Sequence, residues 1–292
     1  MTAEETPASS NNDETTQVQT TTEALEWHAP VLVRIDEHTT IPHLLKERVQ
    51  RGATRPLILR KIGIGDTWRS ITAREFYDEV HALAAGLIAR GLEPGDRVAI
   101  MSRTRYEWTL LDFACWAAGL VPVPIYETSS IDQVAHVLVD ADVHLIITET
   151  VSMAEIVRAA AERENRDNTH VLSLDSEAIE TLIAEGSATP RERVLARSEA
   201  LTTDDIATIV YTSGTTGTPK GTVLSHENFT NLCLNAHAWM PEIAAGKNSR
   251  LLLFLPLAHV FARFLQVFQI SGNGVLGHAS NIKNLLGDLA SF

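Results

Sequence analysis

The feature that most constrains this chain's fold is the alternation between residues 97 and 174, where short apolar runs take turns with longer amphipathic ones. The runs 97–101, 121–125, 143–148 and 170–174 read as strands. Their near-continuous apolar character suits strands covered on both faces. Between them, 106–118, 130–140 and 152–163 have helical spacing. Ser130-x-x-Gln133 and Ser152-x-x-Glu155 have the pattern of a capping box, in which a hydroxyl and a side chain three residues on satisfy each other's backbone N–H groups. Strands separated by crossover helices form a mainly parallel sheet covered by helices on both faces. The expected class is α/β.

The flanks extend this pattern. Residues 29–35 read as a strand, 41–51 as a short helix, and 56–62 with 67–70 as a hairpin around Gly63 and Gly65. Thr72-x-x-Glu75 opens a helix through Arg90, closed by Gly91, with Phe76, Val80, Leu83, Ala84 and Leu87 as its core stripe. Residues 176–200 read as a polar helical surface connection. Strands follow at 206–211 and 221–224, then a helix capped by Ser225, a buried strand at 250–255, a helix at 258–269, a turn into a short strand, and a helix at 281–289. Residues 1–26 contain no Lys or Arg and almost nothing apolar, and so read as a disordered acidic tail. The remainder, 27–292, divides into expected sub-domains of about 27–200 and 201–292.

With 24 Lys plus Arg against 37 Asp plus Glu, the net charge is −13, which excludes general nucleic-acid binding. An anionic ligand must therefore meet a local site. Cys115 and Cys233 are far apart and read as buried apolar residues. No secretory signal is evident, so a cytoplasmic location is expected. His136, Asp140 and His144 lie close in sequence without a metal-binding pattern, and a structural role is expected for them.

A local anion site stands at Tyr211-Thr-Ser-Gly-Thr-Thr-Gly-Thr-Pro-Lys-Gly221, after a strand. Glycines let a backbone approach a ligand closely, short hydroxyls donate to phosphate oxygens, and a lysine supplies a point charge. Walker A spacing is absent, because Pro219 stands five residues after Gly214 and Lys220 precedes Gly221. Ser213 is not in a Gly-x-Ser-x-Gly elbow. Taken alone, the cluster is either a phosphate loop or a Gly/Thr-rich hairpin turn.

In order and context this string resembles the signature loop of the adenylate-forming (AMP-forming) ligase superfamily. Leu255-Pro-Leu-Ala-His-Val-Phe-Ala-Arg263, and Gly119-Leu-Val-Pro-Val-Pro-Ile-Tyr-Glu-Thr-Ser-Ser130 with Arg105-Tyr-Glu-Trp108 before it, are similar to segments of its long-chain fatty acid CoA ligase branch. The resemblance implies an ATP-dependent ligase that makes an acyl-adenylate and then a CoA thioester. It implies that Thr212, Ser213, Gly214, Thr215, Thr216, Gly217 and Lys220 hold the ATP phosphates, that Thr215 contacts Mg²⁺, and that His259 stands at the carboxylate end of the acyl pocket. Phe261, Phe264 and Phe268 read as core rather than tunnel lining, and Arg263 as either surface or ion-paired. Later strings of the superfamily, Tyr-Gly-x-Thr-Glu and Thr-Gly-Asp, do not occur, nor do the hinge and the C-terminal domain with its catalytic lysine. The chain is therefore expected to be an N-terminal portion, inactive alone. The alternatives are a non-catalytic phosphate- or acyl-binding fragment or interaction module, and an adenylating ligase for an aryl or amino acid. Acyl length, oligomeric state and peripheral membrane association stay open.

Overall fold

Two four-stranded sheets and a two-stranded ribbon carry the structure, a computed structural model that describes residues 30–61, 67–212, 219–244, 246, 249–279 and 282–292. The expected tail, the glycines of the first hairpin, and Ser213, Gly214, Thr215, Thr216 and Gly217 lie outside the described residues. In chain order the elements are α1 (Ile41–Gly52), β1 (Pro56–Lys61), β2 (Trp68–Thr72), α2 (Ala73–Ala89), β3 (Arg97–Met101), α3 (Tyr106–Ala117), β4 (Val121–Ile125) and α4 (Ile131–Asp140). Next come β5 (Leu145–Thr148), α5 (Val151–Arg163), β6 (His170–Ser173), α6 (Ala178–Glu185), α7 (Arg191–Ala200), β7 (Ile206–Thr212) and β8 (Lys220–Ser225). The last are α8 (His226–Trp239), α9 (Pro241–Ala244), β9 (Arg250–Leu253), α10 (Val260–Ser271), β10 (Val275–His278) and α11 (Leu285–Ser291).

The alternating region forms the sheet β4-β3-β5-β6, parallel throughout, with Val98 opposite Pro122 and Leu145. Its side chains alternate between two cores, as a period of two requires. Val98, Ile100, Leu145 and Ile147 face the core built with α2 and α3, whereas Ala99, Met101 and Ile146 face the one built with α4 and α5. The α3 helix is buried along its whole length, which explains its lack of a polar stripe. Pro122 and Pro124 sit in β4, an edge strand, where a missing N–H is tolerated.

The other sheet has the order β2-β1-β10-β9, with β1 antiparallel to β2 and parallel to β10. It draws strands from both ends of the described chain.

The capping boxes at Thr72 and Ser130 form, and Ser225 makes one with Asn228. The box expected at Ser152 does not. Thr150 is the cap there, its hydroxyl accepting from the Met153 N–H at 3.2 Å, and Ser152 lies inside α5. Gly91 follows α2 at φ 82°, a left-handed conformation that suits a residue without Cβ. Residues 30–35 are not a strand, because no neighbouring strand accepts them. The Asn235 side-chain amide instead meets the N–H groups of Leu32 (2.8 Å) and Val33 (3.0 Å) and the Val33 carbonyl. The connection at 176–200 is more than surface, since Ala178, Ile179, Leu182 and Val194 are buried. Cys115 and Cys233 are buried free thiols, and burial pushes both up from their ordinary range. Among the described residues no helix is long and apolar enough to cross a membrane.

Candidate functional site

The Gly/Thr-rich segment is carried at the tip of an antiparallel ribbon, β7–β8, in which Thr212 pairs with Lys220 across the segment's ends. Both residues are exposed. Away from this tip the ribbon is fastened by side chains. Trp116 Nε1 donates to the Ala207 carbonyl at 2.7 Å, and the Thr208 hydroxyl donates to the Pro122 carbonyl at 2.7 Å. Burial, then a hydrogen bond to Asp140, raises the Tyr211 hydroxyl above its ordinary value, so it stays protonated.

His259 reaches the same place from the other sheet. After β9 the chain turns through Leu255-Pro256-Leu257, and the Thr104 hydroxyl clips this turn by donating to the Leu255 carbonyl (2.7 Å) and accepting from the Leu257 N–H (2.9 Å). His259 then caps α10, its Nδ1 accepting from the Phe261 N–H at 3.3 Å, which leaves the exposed ring at the helix start. Arg263, one turn on, is not at the surface: it pairs with Asp112 in the core. Phe268 belongs to the core and Phe264 packs against it, but Phe261 is 52% exposed, contrary to its expected core position, because it lies in the first turn of α10.

Thr212, Pro219 and His259 line one cavity of about 480 Å³, with Tyr126, Gln133, Val137 and Tyr211 among its other walls. Two segments distant in sequence thus converge on a space large enough for a small-molecule ligand. Thr104 and Val137 were not singled out from sequence, since nothing local marks them, and Gln133 was read only as the capping partner of Ser130. In sequence Ser213, Gly214, Thr215, Thr216 and Gly217 run between Thr212 and Pro219, and they are not among the described residues.

A second cavity, about 370 Å³, is lined by Arg60, Lys61, Arg103 and Arg105 at the carboxyl ends of β1, β3, β5 and β10. Its positive charge is largely met from within. Arg105 Nε bonds Glu107 at 2.6 Å, and Arg103 bonds Glu149 through Nη2 at 2.5 Å and through its own N–H at 2.8 Å. Burial pushes the Glu149 carboxyl up, but these bonds outweigh it and hold the group below its usual range. Among the described residues no group of three His, Cys, Asp or Glu side chains could hold a metal.

The AMP-binding enzyme family matches residues 45–279. This chain belongs to that family. Among curated relatives, the long-chain-fatty-acid–CoA ligase FadD15 of Mycobacterium bovis and that of Mycobacterium tuberculosis are each 38% identical over 269 residues, 91% of this chain and 44% of the relative. The chain therefore spans less than half the length of these relatives. A solved fatty acyl CoA synthetase of Mycobacterium tuberculosis superposes with a TM-score of 0.71 at 24% identity, covering 87% of this chain and 48% of that one. Its likeness places this AMP-binding chain in the fold of adenylate-forming ligases.

Proposed function

We propose that this chain is the phosphate- and acyl-facing portion of an ATP-dependent long-chain fatty acid CoA ligase. The observation that carries this reading is the shared cavity of Thr212, Pro219 and His259, which sets the flanks of the phosphate-binding segment against the residue assigned to the carboxylate end of the acyl pocket. Relatives named as long-chain-fatty-acid–CoA ligases support the substrate class.

In this reading a fatty acid carboxylate attacks the α-phosphate of ATP, pyrophosphate departs, and coenzyme A takes the acyl group as a thioester. Backbone N–H groups and hydroxyls at 212–217, with Lys220, hold the leaving phosphates. Donors fixed in advance stabilise developing charge without reorganising. In this reading Mg²⁺ would arrive with the nucleotide, and the Thr215 hydroxyl would be its contact. His259 walls the acyl end.

The test is pyrophosphate exchange into ATP by a chimera in which these 292 residues replace the matching segment of the Mycobacterium tuberculosis relative. Exchange that depends on palmitate supports the reading. Exchange that depends only on an aryl acid or an amino acid overturns the substrate class.

A further inference from the structure

The second cavity, of about 370 Å³, has no part in the function proposed above, yet it lies where this kind of sheet commonly holds a ligand. In the order β4-β3-β5-β6 the chain leaves β3 through α3 toward β4 on one side, and leaves β5 through α5 toward β6 on the other. The α3 helix packs in one core and α5 in the other, so the two connections part over opposite faces of the sheet. Adjacent strands whose connections part in this way open a crevice at their carboxyl ends. Arg103, Thr104 and Arg105 follow β3 and Glu149 follows β5, and all four line the cavity. Arg60 and His278, at the carboxyl ends of β1 and β10, belong to its other wall.

Three guanidiniums share two carboxylates there. Glu107 meets Arg60 and Arg105, and Glu149 meets Arg103 and Arg105, which leaves one positive charge over. Both carboxylates are buried, whereas the Arg60, Arg103 and Arg105 side chains are 37%, 60% and 34% exposed. His278 adds a hydrogen-bond acceptor, because a chain of buried bonds fixes its tautomer. Gln266 Nε2 donates to Asp112, which turns Oε1 of the same amide to accept from the Thr109 hydroxyl at 2.7 Å. With its proton committed, that hydroxyl can only accept from His278 Nε2, 2.7 Å away, so Nδ1 carries the bare lone pair. Nδ1 is buried and has no hydrogen-bond partner among the described residues. A buried acceptor left unmade is costly, and a donor brought by a ligand removes that cost.

We propose that this crevice binds a small oxyanion that carries a proton, of the hydrogen phosphate class, either free or as the phosphoryl end of a larger molecule. The site stands apart from the Gly/Thr-rich segment and does not depend on the phosphate reading of residues 212–220. Arg60, Arg103 and Arg105 donate to the anion's oxygens, since a planar guanidinium matches two of them at once. The anion's O–H donates to the acceptors of the wall, Glu107, Glu149 and His278. Sulfate has the same shape but no proton at neutral pH, so it would set bare oxygens against these acceptors. A site built to bond a hydroxyl rejects the analogue that lacks it.

The test uses the full 292-residue chain at pH 7, titrated in a calorimeter with inorganic phosphate, glycerol phosphate and sulfate. In parallel, the ¹⁵N resonances of His278, assigned by their loss in His278→Gln, report on the crevice itself. Phosphate or glycerol phosphate should bind and move the His278 Nδ1 resonance, and the tighter of the two identifies the form the site takes. Sulfate should bind at least about tenfold more weakly, the scale of one hydrogen bond to a charged group. Arg60→Gln and Arg105→Gln should each weaken the preferred phosphate by about the same factor. Saturation with both phosphates that leaves His278 unmoved overturns the site, a result that needs no variant to fold. Sulfate binding as tight as phosphate, or unchanged affinity in both arginine variants, overturns it equally.

Discussion

Arg263 and Asp112 form an ion pair sealed from solvent, Nη2 to Oδ1 at 2.9 Å with both side chains 0% exposed. Gln266 donates to the other carboxylate oxygen at 2.9 Å. The pair ties α10, one turn beyond His259, to the buried helix α3. Burial pushes the Asp112 carboxyl up and the Arg263 guanidinium down, and their mutual attraction opposes both shifts. Truncating one partner strands the other charge in the core. Asp112→Ala should therefore cost about 3–5 kcal/mol in urea unfolding, whereas Asp112→Leu with Arg263→Met should recover most of that loss.

Acid sensitivity should come from two buried histidines. Burial lowers His226 and His278 to about 4, from an ordinary value of 6.5. Between these values the unfolded chain binds protons that the folded chain refuses, so stability is complete above about pH 6.5 and falls as pH drops toward 4. At pH 5 each histidine should cost about 2 kcal/mol. Urea midpoints at pH 7 and pH 5 would measure this, and His226→Asn should show the smaller drop.

The α5 cap offers a sharp comparison. Thr150→Ala should destabilise the chain by about 1 kcal/mol, because its hydroxyl meets the Met153 N–H. Ser152→Ala should change stability by less than about 0.5 kcal/mol, as a surface substitution without a cap to lose. Equal effects in thermal unfolding would contradict the observed helix start.

For catalysis, Thr215→Ala in the chimera should reduce palmitate-dependent pyrophosphate exchange by more than about tenfold, in line with the loss of a donor to developing charge. Unchanged exchange would remove Thr215 from the site.

Much of the fold was legible in local pattern. The parallel core could be read because β3, β4 and β5 are buried on both faces and so are apolar throughout except at Arg97 and Thr148. Caps at Thr72 and Ser130 were legible because each lies within four residues of its partner. Ser152 misled because Thr150, two residues earlier, competes for the same helix start. Residues 30–35 misled because apolar content alone cannot supply a neighbouring strand.

The site divides along the same line. His259 was singled out through its string, but the residues that line the same cavity, Gln133 and Val137, sit on an ordinary amphipathic helix. His136 and Asp140 were read as structural, and what they hold is distant in sequence, Tyr211 standing 71 positions after Asp140. The sequence by itself determined most of the elements, the caps at Thr72, Ser130 and Ser225, and the family, because each depends on contacts a few residues apart or on a contiguous string. Only the tertiary structure decided that β1 lies beside β10, that Asp112 neutralises Arg263, and that α4 meets Tyr211 and Pro219. Those contacts join groups that chain proximity does not bring together, and they form only once burial of the apolar faces has brought the sheets and helices into place.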